Sequence, residues 1–332
     1  MITDYYYYNK LSDENKKIYK KLYKSIIQMD AICSLENTIM DSEDAHRVID
    51  ALDNDNPHLF YANLRHLQVA NNGRDTEIRI EYYYSETVAK RYSDEVEACV
   101  NTYLKSVNTS MDAFEKVRIL YEKLVIGVEY DFAATEDDVE AFSALGALRN
   151  NKAKCEGISK AFKLLLNAAD IKCLVVNGEA ESPMGVGDNR HAWNIVKLDD
   201  TSFHVDVTWA IADDGKSEGV SYDYFGLTDK QIQKDHFGYC DTPECKSDLY
   251  DYFKLNNGSV VAAEDVETKL KSLIAVPCKL RLRLDYECDF EKESKRCIKI
   301  AKELVKNGDY KVRVNTGCRE KQKIVVITTS KE

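Results

Sequence analysis

The sequence lacks the features that identify a membrane protein or a nucleic-acid-binding protein. No apolar stretch in the 332 residues approaches the ~20 residues that a membrane-spanning helix needs. Asp and Glu (57) outnumber Lys and Arg (46), the formal net charge is −11, and no long basic run occurs, which argues against a nucleic-acid-binding surface. The amino terminus shows no charged segment followed by an apolar core, as a secretory signal would. We therefore expect a cytoplasmic protein that binds neither nucleic acid nor membranes.

Closely spaced cysteine pairs are also missing. Ten cysteines are present, but none forms a Cys-x-x-Cys pair, so we expect reduced thiols in a reducing compartment. His236, Cys240 and Cys245 have the spacing H-x3-C-x4-C, which lacks a nearby fourth ligand and matches no common zinc pattern. We predict unrelated side chains there and no metal site.

The remaining composition is that of a globular protein with more than one domain. Hydrophobic residues make up 44% and charged residues 31%, and 332 residues can hold two or three domains. We predict a mostly helical region at 1–110 with a strand near 77–84, a core at 111–255, and a small α+β unit of β-α-β-β order at 260–332. Near the amino terminus, Ser12 has the position of a helix cap.

The centre of the chain contains a cysteine at the start of a predicted helix. The residues from Ile158 to Ala169 have apolar side chains at the i, i+3, i+4, i+7 spacing of a core-facing stripe, with Lys160 and Lys163 on the other face. Cys155 extends the stripe by one turn toward the helix amino terminus, where the partial positive charge favours a thiolate. Gly157 in the first turn lets a substrate approach the backbone closely. Cys155 is therefore a candidate nucleophile.

A predicted β-hairpin follows, with strands at His191 to Leu198 and Phe203 to Trp209. A two-residue turn at Asp199–Asp200 would make His191 the diagonal neighbour of Asp206 on one sheet face, roughly 7–8 Å away between Cα atoms. Asp206 lies between two valines, and a buried carboxylate needs a partner, for which His191 is suitable. The acidic pairs Asp199–Asp200 and Asp213–Asp214 could bind calcium, but turns explain them. Residues 182–189 are predicted to form a loop.

Three segments of this region resemble the bacterial branch of the transglutaminase-like superfamily: C-E-G-I-S-K-A-F, H-A-W-N and H-V-D-V-T-W. Tyr224-Phe225 and His236 follow them, and the resemblance is closest over about 117–237. It implies an α+β fold with a papain-like core, in which a helix that carries the nucleophile packs on an antiparallel sheet. It also implies that Cys155 is the nucleophile, His191 the base and Asp206 the acid that orients the base. His204 shares the predicted face of Asp206, and the resemblance favours His191 over it.

Other residues have predicted supporting roles. The backbone N–H of Cys155 is the expected first donor to an oxyanion, and the hydroxyl of Tyr130 is a candidate for the second, although a core tyrosine explains it equally well. Trp193 and Trp209 are predicted to pack over the imidazole and exclude water, or to line the substrate site with Gly157.

The predicted chemistry is cysteine-dependent acyl transfer from a peptide or glutamine amide through a thioester, without a metal or an organic cofactor. The partner is then a protein or peptide substrate, and a peptidase or a transglutaminase-like hydrolase is favoured. A different class of function is a non-catalytic module that binds peptide or serves as a scaffold on the same fold.

Overall fold

The computed structural model describes residues 5–181, 189–212, 220–274, 278–305, 310–315 and 320–331. The predicted loop at 182–189 and the pair Asp213–Asp214 thus fall almost wholly outside the described residues. Eight described cysteines, Cys155 included, are free thiols.

The fold is α+β, as predicted. The helices are α1 Tyr6–Lys10, α2 Asp13–Ile27, α3 Ser42–Asp55, α4 Glu86–Leu104, α5 Ala113–Gly127, α6 Ala144–Arg149, α7 Cys155–Ala168, α8 Val207–Ala212, α9 Asp229–Ile232, α10 Tyr252–Leu255, α11 Asp265–Leu273 and α12 Phe290–Leu304. The strands are β1 Ile32–Leu35, β2 Gln68–Asn71, β3 Thr76–Arg79, β4 Glu129–Tyr130, β5 Lys152–Ala153, β6 Lys172–Ala180, β7 Arg190–Leu198, β8 Thr201–Val205, β9 Phe225–Leu227, β10 His236–Phe237, β11 Ser259–Val260, β12 Cys278–Leu284, β13 Tyr310–Asn315 and β14 Ile324–Lys331. Short 3-10 helices lie at Pro57–Leu59, Leu64–His66 and Val139–Phe142.

These strands form four sheets. Their strand orders are β1-β3-β2, β10-β6-β7-β8-β9, β11-β12-β14-β13 and β4-β5. Strands β4 and β5 run parallel, and the pairing sets Tyr130 opposite Ala153, two residues before Cys155.

The chain divides into two compact units. One comprises Met1–Asn177, His191–Asp200 and Asp206–Asp213, and the other comprises Gly178–Arg190, Thr201–Val205 and Asp214–Glu332. All three predicted catalytic residues belong to the first unit. The three-part division predicted from the sequence stays a prediction.

The amino-terminal part of the first unit has a core of its own. Ser12 caps α2 by accepting a hydrogen bond from the N–H of Asn15, and Leu22 and Ile26 of α2 are fully buried. They pack in one cluster with residues of α3 and of the β1-β3-β2 sheet, such as Val48 and Ile78. The strand predicted at 77–84 is shorter, because β3 ends at Arg79 and only an isolated bridge from Tyr82 to Ala62 follows.

The predicted hairpin is correct in its turn and wrong at its end. Asp199 and Asp200 connect β7 to β8, and Asp199 adopts a φ of +50°, which suits a two-residue hairpin turn. The second strand was predicted to continue to Trp209, but β8 ends at Val205 and α8 begins at Val207. Asp206 therefore lies between a strand and a helix.

The last part of the second unit is a four-stranded sheet with two helices. Strand β12 pairs antiparallel with β14, which pairs antiparallel with β13. Buried side chains of α11, β12, α12 and β14, such as Leu270, Leu282, Ala301 and Ile327, form its core. The two-residue strand β11, parallel to β12, is an addition to the predicted β-α-β-β pattern.

Among the helices in the described ranges, none is long and apolar enough to cross a membrane.

Candidate active site

Cys155 is the first residue of α7. Lys154 precedes it in an extended conformation, so the helix begins at the cysteine itself. Cys155 is half-buried. A thiol at this position meets the partial positive charge of the helix amino terminus and remains within reach of solvent.

His191 connects Cys155 to Asp206. Its Nε2 lies 2.7 Å from Oδ2 of Asp206, and its side chain is also hydrogen-bonded to that of Cys155. Burial alone would lower the pKa of His191, but the charge of Asp206 and its hydrogen bond outweigh burial. Together with a contribution from Cys155 they raise the pKa from 6.5 to about 10. The arrangement thus favours an imidazolium between the sulfur of Cys155 and the carboxylate of Asp206.

Asp206 is fixed from two sides. Its Oδ1 accepts a hydrogen bond of 3.1 Å from the backbone N–H of Trp209, so the carboxylate caps the first turn of α8 while Oδ2 contacts His191. Asp206 is fully buried. A buried carboxylate that is held by a backbone donor keeps a defined orientation toward its histidine.

Two tryptophans flank the imidazole. The ring centroid of Trp193 lies 6.0 Å from that of His191 with an interplanar angle of 18°, and that of Trp209 lies 5.6 Å away at 38°. Trp193 is completely buried and Trp209 is 9% exposed. Both rings are therefore in a position to exclude water from the imidazole.

Gly157 follows Cys155 by two residues on the chain, and Tyr130 lies opposite Ala153, two residues before Cys155, in the β4-β5 sheet. Gly157 is buried, and a Cβ on it would lie 2.6 Å from the carbonyl oxygen of Ala141 and 2.7 Å from that of Ser143. The missing side chain thus lets α7 approach the 141–143 backbone. The half-buried ring of Tyr130 contacts that of Phe132 at a centroid distance of 4.8 Å and lies 5.5 Å from Nζ of Lys154.

A charged network that the sequence did not predict surrounds the start of α7. Nζ of Lys160 lies 2.7 Å from Oε1 of Glu156 and 2.7 and 2.8 Å from the two carboxylate oxygens of Asp53. Arg65 binds the other oxygen of Glu156. Burial by itself would lower the pKa of Lys160, but the two carboxylates outweigh it and raise that pKa. Glu156, the residue next to the cysteine, thus pairs with two cations, each of which also pairs with a second carboxylate.

The polar face predicted for α7 is in fact buried. Nζ of Lys163, which is completely buried, lies 2.8 Å from the carbonyl oxygen of Cys173. The buried Asn194 donates hydrogen bonds to the carbonyl oxygens of Ser159 and Leu174, at 3.0 and 2.9 Å. Asn194 therefore connects α7 and β6 to β7, the strand that carries His191. The H-A-W-N motif did not predict this role.

His204, the alternative candidate for the base, and His236, from the H-x3-C-x4-C pattern, are each hydrogen-bonded to an aspartate. Nε2 of His204 lies 2.9 Å from Oδ1 of Asp229, and Nδ1 of His236 lies 2.7 Å from Oδ1 of Asp235. Cys240 is exposed.

The chain is similar to known proteins over part of its length. Residues 101–213 match the family model described as Transglutaminase-like superfamily. The kyphoscoliosis peptidase of Homo sapiens is 30% identical over 138 residues, which are 40% of this chain and 20% of that protein. The Mus musculus kyphoscoliosis peptidase is 32% identical over 102 residues, 29% of this chain and 15% of that protein. The chain thus spans about a fifth or less of these relatives.

Among solved structures, the crystal structure of a TGase covers 53% of this chain and 50% of its own, with 14% sequence identity and a TM-score of 0.31. The match to the family model includes all three of Cys155, His191 and Asp206. Residues 101–213 are accordingly a domain of the transglutaminase-like superfamily.

Proposed function

We propose that this chain is a cysteine-dependent enzyme that transfers the acyl group of a peptide or glutamine amide through a thioester, as a peptidase or a transglutaminase-like hydrolase. The observation that carries the proposal is the continuous chain of hydrogen bonds from Cys155 through His191 to Asp206. The word peptidase in the names of the human and mouse relatives supports the same reaction class.

The contacts suggest a role for each group. The thiolate of Cys155 attacks the amide carbonyl carbon, and the new C–S bond leaves an oxyanion that a backbone N–H at the start of α7 can stabilise. The oxyanion then collapses and breaks the C–N bond, while the imidazolium of His191 gives its proton to the departing amine. His191 next takes a proton from water, which attacks the thioester and releases the acid. Asp206 holds the ring and stabilises its charged form.

The test of activation is the alkylation rate of each cysteine by iodoacetamide near neutral pH, followed by peptide mapping. Cys240 is the internal comparator, because it is exposed and because partial desolvation and the neighbouring Asp241 raise its pKa. We expect Cys155 to react at least about tenfold faster than Cys240, since a cysteine beside a charged imidazole and a helix amino terminus is the more reactive kind. A rate for Cys155 no higher than that of Cys240 would refute the proposal.

A matched pair of histidine variants separates activation from exposure. His191→Gln should reduce the rate of Cys155 toward that of Cys240, whereas His46→Gln, at an exposed position on α3, should leave it unchanged. Equal rates in both variants would remove the imidazole from the proposed mechanism.

The reaction is tested with a glutamine-containing peptide and a fluorescent primary amine. Release of ammonia without incorporation of the amine, or cleavage of the peptide bond, indicates hydrolysis, while incorporation indicates transamidation. All of these products should disappear in Cys155→Ala. Tight peptide binding that persists in Cys155→Ala, without turnover by the unmodified chain, would instead indicate a non-catalytic binding module.

A further inference from the structure

Three side chains of metal-binding type meet in the second unit. His204 of β8, Asp229 at the start of α9 and Cys245 in the segment after β10 each offer a ligand atom, and these atoms all lie within 4.8 Å of one another. His204 and Cys245 are fully buried, and the side chain of Asp229 is 27% exposed. None of the three belongs to the site proposed for acyl transfer.

The separation of the ligand atoms is close to that of a tetrahedral zinc site. Nε2 of His204 and Oδ1 of Asp229 are 2.9 Å apart. Zn–N and Zn–O bonds of about 2.0–2.1 Å at the tetrahedral angle require a separation of roughly 3.3 Å. The pair therefore needs to open by only a few tenths of an ångström. Sγ of Cys245, which contacts the carbonyl oxygen of Pro243 at 3.7 Å, lies within 4.8 Å of both ligand atoms.

The carboxylate is already oriented for such a site. Its second oxygen, Oδ2, accepts a hydrogen bond of 2.8 Å from the backbone N–H of Cys245, and the backbone N–H of Asp229 donates to the carbonyl oxygen of Cys245, also at 2.8 Å. Outer hydrogen bonds of this kind fix a metal-binding carboxylate, and Oδ1 is the oxygen directed at His204. The two segments are thus held together by their backbones before any ion binds.

We propose that His204, Asp229 and Cys245 bind one zinc ion, with water as the fourth ligand on the exposed side of Asp229. A set of imidazole, carboxylate and thiolate ligands suits zinc, whereas magnesium and calcium take oxygen ligands almost exclusively. The ion would take the place of the proton between His204 and Asp229 and would join β8, α9 and the segment around Cys245.

Cobalt substitution in the 332-residue chain that carries Cys155→Ala tests the site. Co²⁺ bound by a thiolate produces a charge-transfer absorption band, and the variant removes the proposed nucleophile as an alternative thiolate. We expect one Co²⁺ per chain with this band, its displacement by one equivalent of Zn²⁺, and a higher melting temperature with Zn²⁺. Co²⁺ bound without the thiolate band, or binding that leaves the melting temperature unchanged, would overturn the proposal.

Ligand variants in the same background identify the residues. Cys245→Ser should abolish the charge-transfer band, and His204→Gln should weaken binding by about a hundredfold or more, since loss of an outer-shell partner alone costs about 10–100-fold. Cys297→Ser is the matched control, because Cys297 is an equally buried thiol of the second unit outside the cluster, and it should retain the band and the stoichiometry. A band that survives in Cys245→Ser would exclude Cys245 as a ligand. Because the acyl-transfer residues are not involved, metal binding and the proposed enzymatic activity can fail independently.

Discussion

Gly157→Ala is expected to displace the start of the nucleophile helix. The added Cβ would lie 2.6 and 2.7 Å from the carbonyl oxygens of Ala141 and Ser143 and 3.0 Å from Cβ of Ala153, where ordinary contact begins at 3.4 Å. Two backbone oxygens would have to move away by 0.7 to 0.8 Å, or α7 would have to move from them by that distance. Backbone atoms cannot swing aside as the end of a long side chain can.

The magnitude follows from two opposing effects. Overpacking of a close contact costs about 1–3 kcal/mol, while alanine is favoured over glycine inside a helix by up to about 1 kcal/mol. We therefore expect the free energy of unfolding to fall by about 1–2 kcal/mol. Cys155 is two residues away, so a shift of this size should also lower its alkylation rate at neutral pH by about tenfold or more, since misplacement by ~1 Å can cost up to a hundredfold in reactivity.

Gly127→Ala is the matched control. Gly127 ends α5, and a Cβ there would lie 2.7 Å from the hydroxyl oxygen of Tyr103, the far end of a side chain that can rotate away. This variant should remain within about 0.5 kcal/mol of the unmodified chain with unchanged alkylation. Chemical denaturation gives the stability and iodoacetamide kinetics the reactivity. If Gly157→Ala matched Gly127→Ala in both, the close approach to the 141–143 backbone would not be what positions Cys155.

Three further predictions concern the charged groups. Asp206→Asn removes the partner of a buried imidazole, so the free energy of unfolding at pH 7 should fall by about 3–5 kcal/mol and the alkylation of Cys155 should slow, both measured as above. Because the pKa of His191 is raised on folding from 6.5 to about 10, its contribution to stability is complete below pH 6.5 and is lost as the pH rises through about 10. The stability difference between the unmodified chain and Asp206→Asn should therefore shrink above that pH, and a difference constant across this range would contradict the assignment. Lys160→Met should lower the free energy of unfolding by about 1.5–3 kcal/mol, because it removes the charged hydrogen bonds to the partly buried carboxylates of Asp53 and Glu156. Glu156→Gln introduced into that variant should restore part of the loss; strictly additive effects would rule out the coupling.

The sequence predicted the elements whose signals are local. The apolar stripe from Ile158 and the turn at Asp199–Asp200 are signals carried by neighbouring residues. Both α7 and the hairpin turn are found where they were predicted. The alternation V-D-V around Asp206 suggested a strand because valine favours strands, but the carboxylate accepts a hydrogen bond from the N–H three residues later. A hydrogen bond of this spacing is typical of a helix cap. Because aspartate is a preferred capping residue, Asp206 itself could have indicated the start of α8.

Partners distant in the sequence could not be predicted in this way. Lys160 and Lys163 were predicted to lie on the face opposite the apolar stripe, and periodicity says nothing of what covers that face. In the structure Asp53, more than 100 residues upstream, supplies the charge that lets Lys160 be buried. Likewise, the sequence spacing of Cys245 was compared only with that of His236 and Cys240, so it could not predict that Cys245 lies close to His204 and Asp229.

The two charged arrangements around α7 act on the same thiol in complementary ways. His191 places a positive charge beside Cys155 because Asp206 raises its pKa, while Glu156 would add a negative charge one residue away. Lys160 and Arg65 both bind Glu156 and so reduce the unfavourable field of that carboxylate on a thiolate, while Lys160 also pairs with Asp53 and Arg65 with Glu136. The amino-terminal region, which contributes Arg65 and the second anion for Lys160, is therefore part of the electrostatic environment of the proposed nucleophile. Loss of either cation should reduce the reactivity of Cys155 even with the triad intact, and removal of the Glu156 charge should restore it.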